Sequence, residues 1–139
     1  MKHTIKTAFA IKITRGVVTV HENDTAFEIS QIMEEEDIGA VVVIRNGKIA
    51  GMVSERDIVR RVVAKRKNPF ETRVKEFMTK DVVTAQYSDG LEKIHQMMCK
   101  LPFRHLPILD GQKLIGIVSN RDILYSLRTR LGVAKSAKK

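Results

Sequence analysis

Two short runs carry the residues best placed for chemistry: Ser54-Glu55-Arg56-Asp57 and Ser119-Asn120-Arg121-Asp122. They lie inside matching octets, residues 51–58 and 116–123, 65 positions apart. In each, a strand-like apolar pattern runs into a helical one at the serine. A serine there caps a helix by accepting a bond from a backbone N–H about three residues on. An aspartate in the first turn complements the positive end of the helix dipole. An arginine between the two stands beside the N–H groups that a helix start leaves exposed. That combination can hold a phosphate, and the neighbouring carboxylate can hold a sugar diol through charged hydrogen bonds. The same residues also suffice for plain capping, so the octets alone leave both readings open.

What must position them is a repeat. Sliding the chain by 65 aligns residues 17–62 with 82–127 without a gap, and 14 of the 46 positions are identical. Twelve of the other 32 exchange one apolar residue for another. Two copies are too few for a solenoid, so a closed pseudo-twofold pair is expected. At 139 residues, 43% hydrophobic and 29% charged, the chain fits one compact domain or two small units sharing a core. A half of about 60 residues would be marginal alone. The expected division is a lead-in and first unit over residues 1–66, a linker and second unit over 67–131, and a basic tail over 132–139.

The periodicities give each unit the order β-α-β-β-α. In the first, a strand at 17–20 precedes a helix capped by Asp24 and ended by Gly39, with Ala26, Ile29, Ile32 and Met33 on one face. A continuous apolar strand at 40–44 turns back through Asn46-Gly47, a strong hairpin signal, into 48–53 and the Ser54 helix. Residues 65–69 break the pattern, and 72–80 form a bridge with a helical turn. The second unit repeats the order, with strands at 82–85, 106–109 and 113–118 and helices from about Ser88 or Asp89 and from Asn120. A helix between the first two strands implies a parallel right-handed crossover. Middle strands apolar on both faces are buried on both. The fold class expected is thus α/β, of α+β-like layout: two units related by a pseudo-twofold axis and packed through their small sheets, with clefts where they meet.

A tandem pair of such units, each ending in Gly-apolar-Val-Ser-x-x-Asp-apolar, resembles the cystathionine-β-synthase (CBS) domain pair. The twin octets, Phe77-Met78-Thr79 and the run Arg104-His105-Leu106-Pro107-Ile108-Leu109-Asp110 carry the resemblance, which spans about residues 13–130. The first copy departs from the pattern in its lead-in, Ala10-Ile11-Lys12-Ile13-Thr14. The resemblance implies a regulatory protein that binds AMP, ADP or ATP, with S-adenosylmethionine as a further option, in clefts between the units, and no required cofactor or catalytic residue. One cleft would join Ser119, Arg121 and Asp122 to Val17, Val18, Thr19, Ile38, Gly39 and Ala40. The other would join Ser54, Arg56 and Asp57 to Val82, Val83, Thr84, Phe103, Arg104 and His105. Asp57 or Asp122 would hold the ribose and the Ser/Arg pair the phosphate. Arg104 would lean on phosphate in the cleft of Asp122, its own unit's aspartate, which favours that cleft because Gly39 stands at the matching place in the first copy. The resemblance also implies a homodimer formed through helices, signalling to a regulated partner or across the dimer.

Other features bound the alternatives. The net charge of +9 comes from 25 basic and 16 acidic residues. Five of the basic residues, Arg128, Arg130, Lys135, Lys138 and Lys139, lie near the C-terminus. Such a surface suits phosphorylated ligands, nucleic acid or an acidic partner. Nucleic-acid binding through the basic surface is one competing function, although two Tyr, five Phe and no Trp supply a poor stacking platform. A structural interaction module with vestigial clefts is another. The longest apolar run, 40–44, is far short of a membrane span. The first six residues lack a signal-peptide core, so a cytoplasmic protein is expected. A single cysteine, Cys99, excludes an internal disulfide, and no motif beside it activates it. His3 and His21 suggest no metal site, His95 reads as a surface residue, and Met33, Met97 and Met98 read as core filling. His105 is either a surface histidine or a ligand contact.

Overall fold

The computed structural model of the chain describes residues 17–100 and 104–124. The lead-in, Phe103 and the basic tail lie outside them. The chain divides into two compact units, one spanning Val17–Val82 and the other taking in Val83 onward. Each is a mixed α/β unit built on its own three-stranded sheet.

In the first unit, β1 (Thr19–His21) leads to α1 (Ala26–Glu36), β2 (Ala40–Arg45), β3 (Lys48–Ser54) and a short helix α2 (Glu55–Ile58). α2 widens into a π-helical turn, Val59–Val63, and α3 (Val74–Phe77) follows. β1 pairs with β2 in parallel and β2 with β3 antiparallel, so the expected crossover and hairpin both form. Asn46 and Gly47 take φ of 53° and 77°, the left-handed pair that a tight hairpin needs. The second unit repeats the layout with β4 (Ala85–Gln86), α4 (Leu91–Lys100), β5 (His105–Asp110) and β6 (Lys113–Ser119). Residues 120–124 are helical. The register irregularity between the antiparallel strands falls at Val43/Ile44 and again at Ile108/Leu109, which are the same positions of the repeat.

The two cores are also copies. Val20, Ala26, Ile29, Met33, Val41, Val43 and Val53 pack in the first. Ala85, Leu91, Ile94, Met98, Leu106, Ile108 and Val118 pack in the second. Each residue in the second list is the 65-position counterpart of one in the first. Burying each large aliphatic side chain is worth about 1.5–3 kcal/mol, so these positions hold the helices on one face of each sheet. On the opposite face Val42 and Pro107 are buried too.

Local chemistry moves several boundaries from where the sequence puts them. Thr25, not Asp24, caps α1, in a reciprocal box with Glu28. Asp24 instead accepts from the His21 N–H at 2.9 Å, and its counterpart Asp89 accepts from the Gln86 N–H at 2.8 Å. Both thereby shape the turn that leaves the first strand. α1 ends at Asp37 rather than Gly39. Asp37 takes a left-handed φ of 55°, which aspartate tolerates better than most residues. The Ile38 N–H then reaches back to the Met33 carbonyl at 3.1 Å. The first strand of each unit starts later than expected, so Val17, Val18, Val82, Val83 and Thr84 precede their strands instead of forming them. In the second unit there is a visible cause. Tyr87 N–H donates to Leu109 O at 2.8 Å, so odd-numbered positions of β5 face β4. Pro107 is one of them and has no N–H to give. Thr84 would stand opposite it, whereas its counterpart Thr19 pairs with Val42.

The segment after the first repeat is bound to the first unit. Ala26 and Phe27, in the opening turn of α1, donate to Thr72 O and Pro69 O at 2.9 and 3.0 Å. Thr79 exchanges two 2.9 Å backbone bonds with Met52 of β3. Gly51 makes that approach possible: a Cβ there would lie 2.5 Å from Met78 Sδ and 2.9 Å from Thr79 O. Gly51→Ala should therefore cost about 1–3 kcal/mol, measured by urea denaturation.

Candidate functional site

Both octets fold as helix-start boxes. Ser54, the N-cap of α2, has extended backbone (φ −112°, ψ 168°). Its Oγ accepts from the Asp57 N–H at 3.2 Å, and Asp57 Oδ2 accepts from the Ser54 N–H at 2.9 Å. In the second unit the same two bonds measure 3.1 Å and 2.8 Å, between Ser119 and Asp122. The reciprocal bonds arise because β3 and β6 run into their helices without a loop, so the serine is at once the last strand residue and the cap. The consequence for function is positional. Each box locks its aspartate at the helix start, half-buried, with Oδ2 held by the serine N–H.

The donors of the same turn are partly consumed. Glu55 N–H donates to Gly39 O and Asn120 N–H to Arg104 O, both at 3.0 Å. The Asp N–H goes to the serine. Among the described residues the N–H groups of Arg56 and Arg121 are left over, and both arginine side chains are exposed. Each octet thus presents a backbone donor, a guanidinium and a fixed carboxylate within one helical turn, on the positive end of its dipole.

Strand pairing brings further predicted residues to the same end of each sheet. Ala40 pairs with Ser54 across β2 and β3, and His105 with Ser119 across β5 and β6. Val17–Thr19 and Ile38–Ala40 gather beside the first octet within their unit. Val83, Thr84, Arg104 and His105 gather beside the second within theirs, while Val82 closes the first unit. The Arg104 carbonyl accepts from the Asn120 N–H, as the Gly39 carbonyl does from Glu55, so an arginine residue occupies the second unit's place of Gly39.

Sequence reasoning missed two neighbours. Arg61 Nε lies 3.7 Å from Asp57 Oδ1, and its Nη1 donates to Phe77 O at 2.9 Å. The signal was the four-residue spacing from aspartate to arginine on a helix. The same spacing joins His95 and Cys99, read separately above: Sγ is 3.7 Å from Nε2 on the outer face of α4. Among the described residues, no group of three or more His, Cys, Asp or Glu is placed to hold a metal ion. Nor is any helix there long and apolar enough to cross a membrane.

Comparison with known proteins gives a consistent picture. The family model for the CBS domain matches residues 8–64 and 74–129. The chain is 34% identical over 111 residues to the CBS domain-containing protein YhcV of Bacillus subtilis, covering 80% of this chain and 79% of that one. It is similar to the structure of a Burkholderia ambifaria protein with CBS domains, assigned to signal transduction, with 33% identity and a TM-score of 0.84. That similarity covers 98% of this chain and 99% of the other. The hexameric CBS-CP12 protein from bloom-forming cyanobacteria matches 90% of this chain and 72% of its own, with 28% identity and a TM-score of 0.80.

The cap and the arginine have separable jobs. Ser119→Ala should lower stability by about 1 kcal/mol, while Arg121→Ala should leave it within about 0.5 kcal/mol. Thermal melts of the two variants beside the parent check this.

Proposed function

The chain belongs to the CBS-domain family, whose tandem pairs serve regulation and signal transduction in its relatives, and we propose that it senses an adenine nucleotide with the two octets. The observation that carries this reading is the pair of reciprocal serine–aspartate boxes, each with an arginine between cap and acid. In this reading each octet faces a cleft formed with the strand starts of the other unit. Ser119, Arg121 and Asp122 then work with Val17, Val18, Thr19, Ile38, Gly39 and Ala40. Ser54, Arg56 and Asp57 work with Val82, Val83, Thr84, Phe103 and His105. The half-buried aspartate takes the ribose hydroxyls through charged hydrogen bonds. The leftover arginine N–H, the guanidinium and the helix dipole take the phosphate. Adenine lies against the apolar strand starts and is read by their backbone groups. Arg104 adds a second cation to the Asp122 site, which is therefore the stronger one.

No chemistry is performed on the ligand. Its effect is to shift the population of conformations that a partner recognises. That partner includes a second copy of the chain. Val59 and Val63, on the helix after the first octet, are 58% and 62% exposed, and Leu124, the repeat counterpart of Val59, is 49% exposed. Large apolar side chains left open at matching places in both units suit a self-complementary contact. The hexameric cyanobacterial relative supports self-association.

Two measurements test the proposal. Calorimetric titration with AMP, ADP, ATP and S-adenosylmethionine should show binding of at least one adenine nucleotide. A charged hydrogen bond is worth about 1.5–3 kcal/mol, so Asp122→Ala should weaken that binding roughly tenfold or more. Silence of the parent toward all four ligands sinks the reading. Sedimentation velocity should find a dimer, and Val59→Glu combined with Leu124→Glu should convert it to monomer. A monomeric parent overturns the self-association.

A further inference from the structure

We infer that His95 and Cys99 form a two-donor site for zinc, or for another cation of its class, on the outer face of α4. Neither residue belongs to the octets, so the inference stands apart from the nucleotide reading.

The helix fixes the pair. Leu91, Ile94 and Met98 are buried in the second core and hold α4 by one side. His95 and Cys99 fall off that seam, the histidine half-buried and the cysteine exposed. They are four residues apart, the spacing that brings side chains together on successive turns. A helical side chain leans toward the N-terminus, so Cys99 reaches back over the turn that carries His95. Cys99 Sγ and His95 Nε2 lie 3.7 Å apart.

That separation is close to the bite of one metal ion. Zinc bonds of about 2.3 Å to sulfur and about 2.0–2.1 Å to nitrogen, opened to a tetrahedral angle, set the two donors about 3.5–3.6 Å apart. Small side-chain rotations complete the geometry. A thiol–imidazole hydrogen bond fits the same separation, but it takes up no metal. Sulfur and imidazole nitrogen suit zinc and other soft or borderline ions, whereas magnesium and calcium prefer oxygen. On binding, the Cys99 thiol gives its proton to solvent, and the thiolate and the neutral imidazole donate to the ion. Among the described residues, no third His, Cys, Asp or Glu joins them, so water fills the remaining positions. A site with half its shell open is exchangeable. The fold does not need the ion, but the two donors meet only across a helical turn, so bound zinc ties the last turns of α4 together and favours the folded state.

The test is calorimetric titration of zinc chloride into the nucleotide-free chain in a non-chelating buffer. The parent should bind zinc and should not respond to magnesium. Cys99→Ala and His95→Gln should each weaken zinc at least tenfold, since even a lost outer-shell partner costs about 10- to 100-fold. Cobalt(II) should give a thiolate-to-metal charge-transfer band with the parent and none with Cys99→Ala. Zinc should raise the melting temperature of the parent and not that of either variant. Circular dichroism of the metal-free variants confirms that both are folded. If the parent takes up no zinc, or if either variant binds it as tightly as the parent, the pair is a plain hydrogen bond and the inference is wrong.

Discussion

A helix that starts directly at the end of a strand has amide groups with nowhere to go, and the reciprocal bonding of a serine and an aspartate is how this chain resolves that twice. Most of the organisation at the candidate site follows. The box fixes where the helix begins, so β3 and β6 need no connecting loop. It fixes the aspartate rotamer, so a carboxylate sits half-buried at the positive end of a helix instead of sweeping through solvent. Among the described residues it leaves one amide per turn, that of Arg56 or Arg121, unpaired. Capping and ligand binding are thus compatible uses of the same four residues, and the stability of the helix start pre-organises the groups that meet the ligand.

The asymmetry between the units grows from the same frame. Duplication supplied two equal boxes, and later differences lie in what surrounds them. Around Asp57 the neighbours are Glu55, Gly39 and an anchored Arg61. The second octet carries Asn120 where the first has Glu55, and Arg104 stands where the first unit has Gly39. None of these changes falls on the seven core positions that recur across the repeat, from Val20/Ala85 to Val53/Val118.

Much of this was legible in the sequence because it depends on period and local spacing. The 65-residue shift located both sheets, both helix faces and both octets, and the core positions are the ones that the apolar pattern marks. The boundaries were less legible where two residues competed for one role. Asp24 and Thr25 are both good caps, and only the fold shows that Asp24 is occupied with the turn. Gly39 is the usual choice for ending a helix, yet Asp37 adopts the left-handed backbone two residues earlier. Pro107 was read as part of an apolar strand, and its cost to the neighbouring strand shows only once the facing direction of β5 is known. At the candidate site, Ser54, Asp57, Ser119 and Asp122 were identified from spacing alone. Arg61 was not, because its second anchor, Phe77 O, lies 16 residues away in sequence.

The bonds between Thr79 and Met52 carry a consequence for where the first unit can be cut. The tract that repeats and the body that folds are out of phase: the repeat ends near residue 66, but backbone up to residue 79 bridges to β3. A fragment ended at the repeat boundary would leave the Met52 N–H and C=O without the bonds that Thr79 gives them.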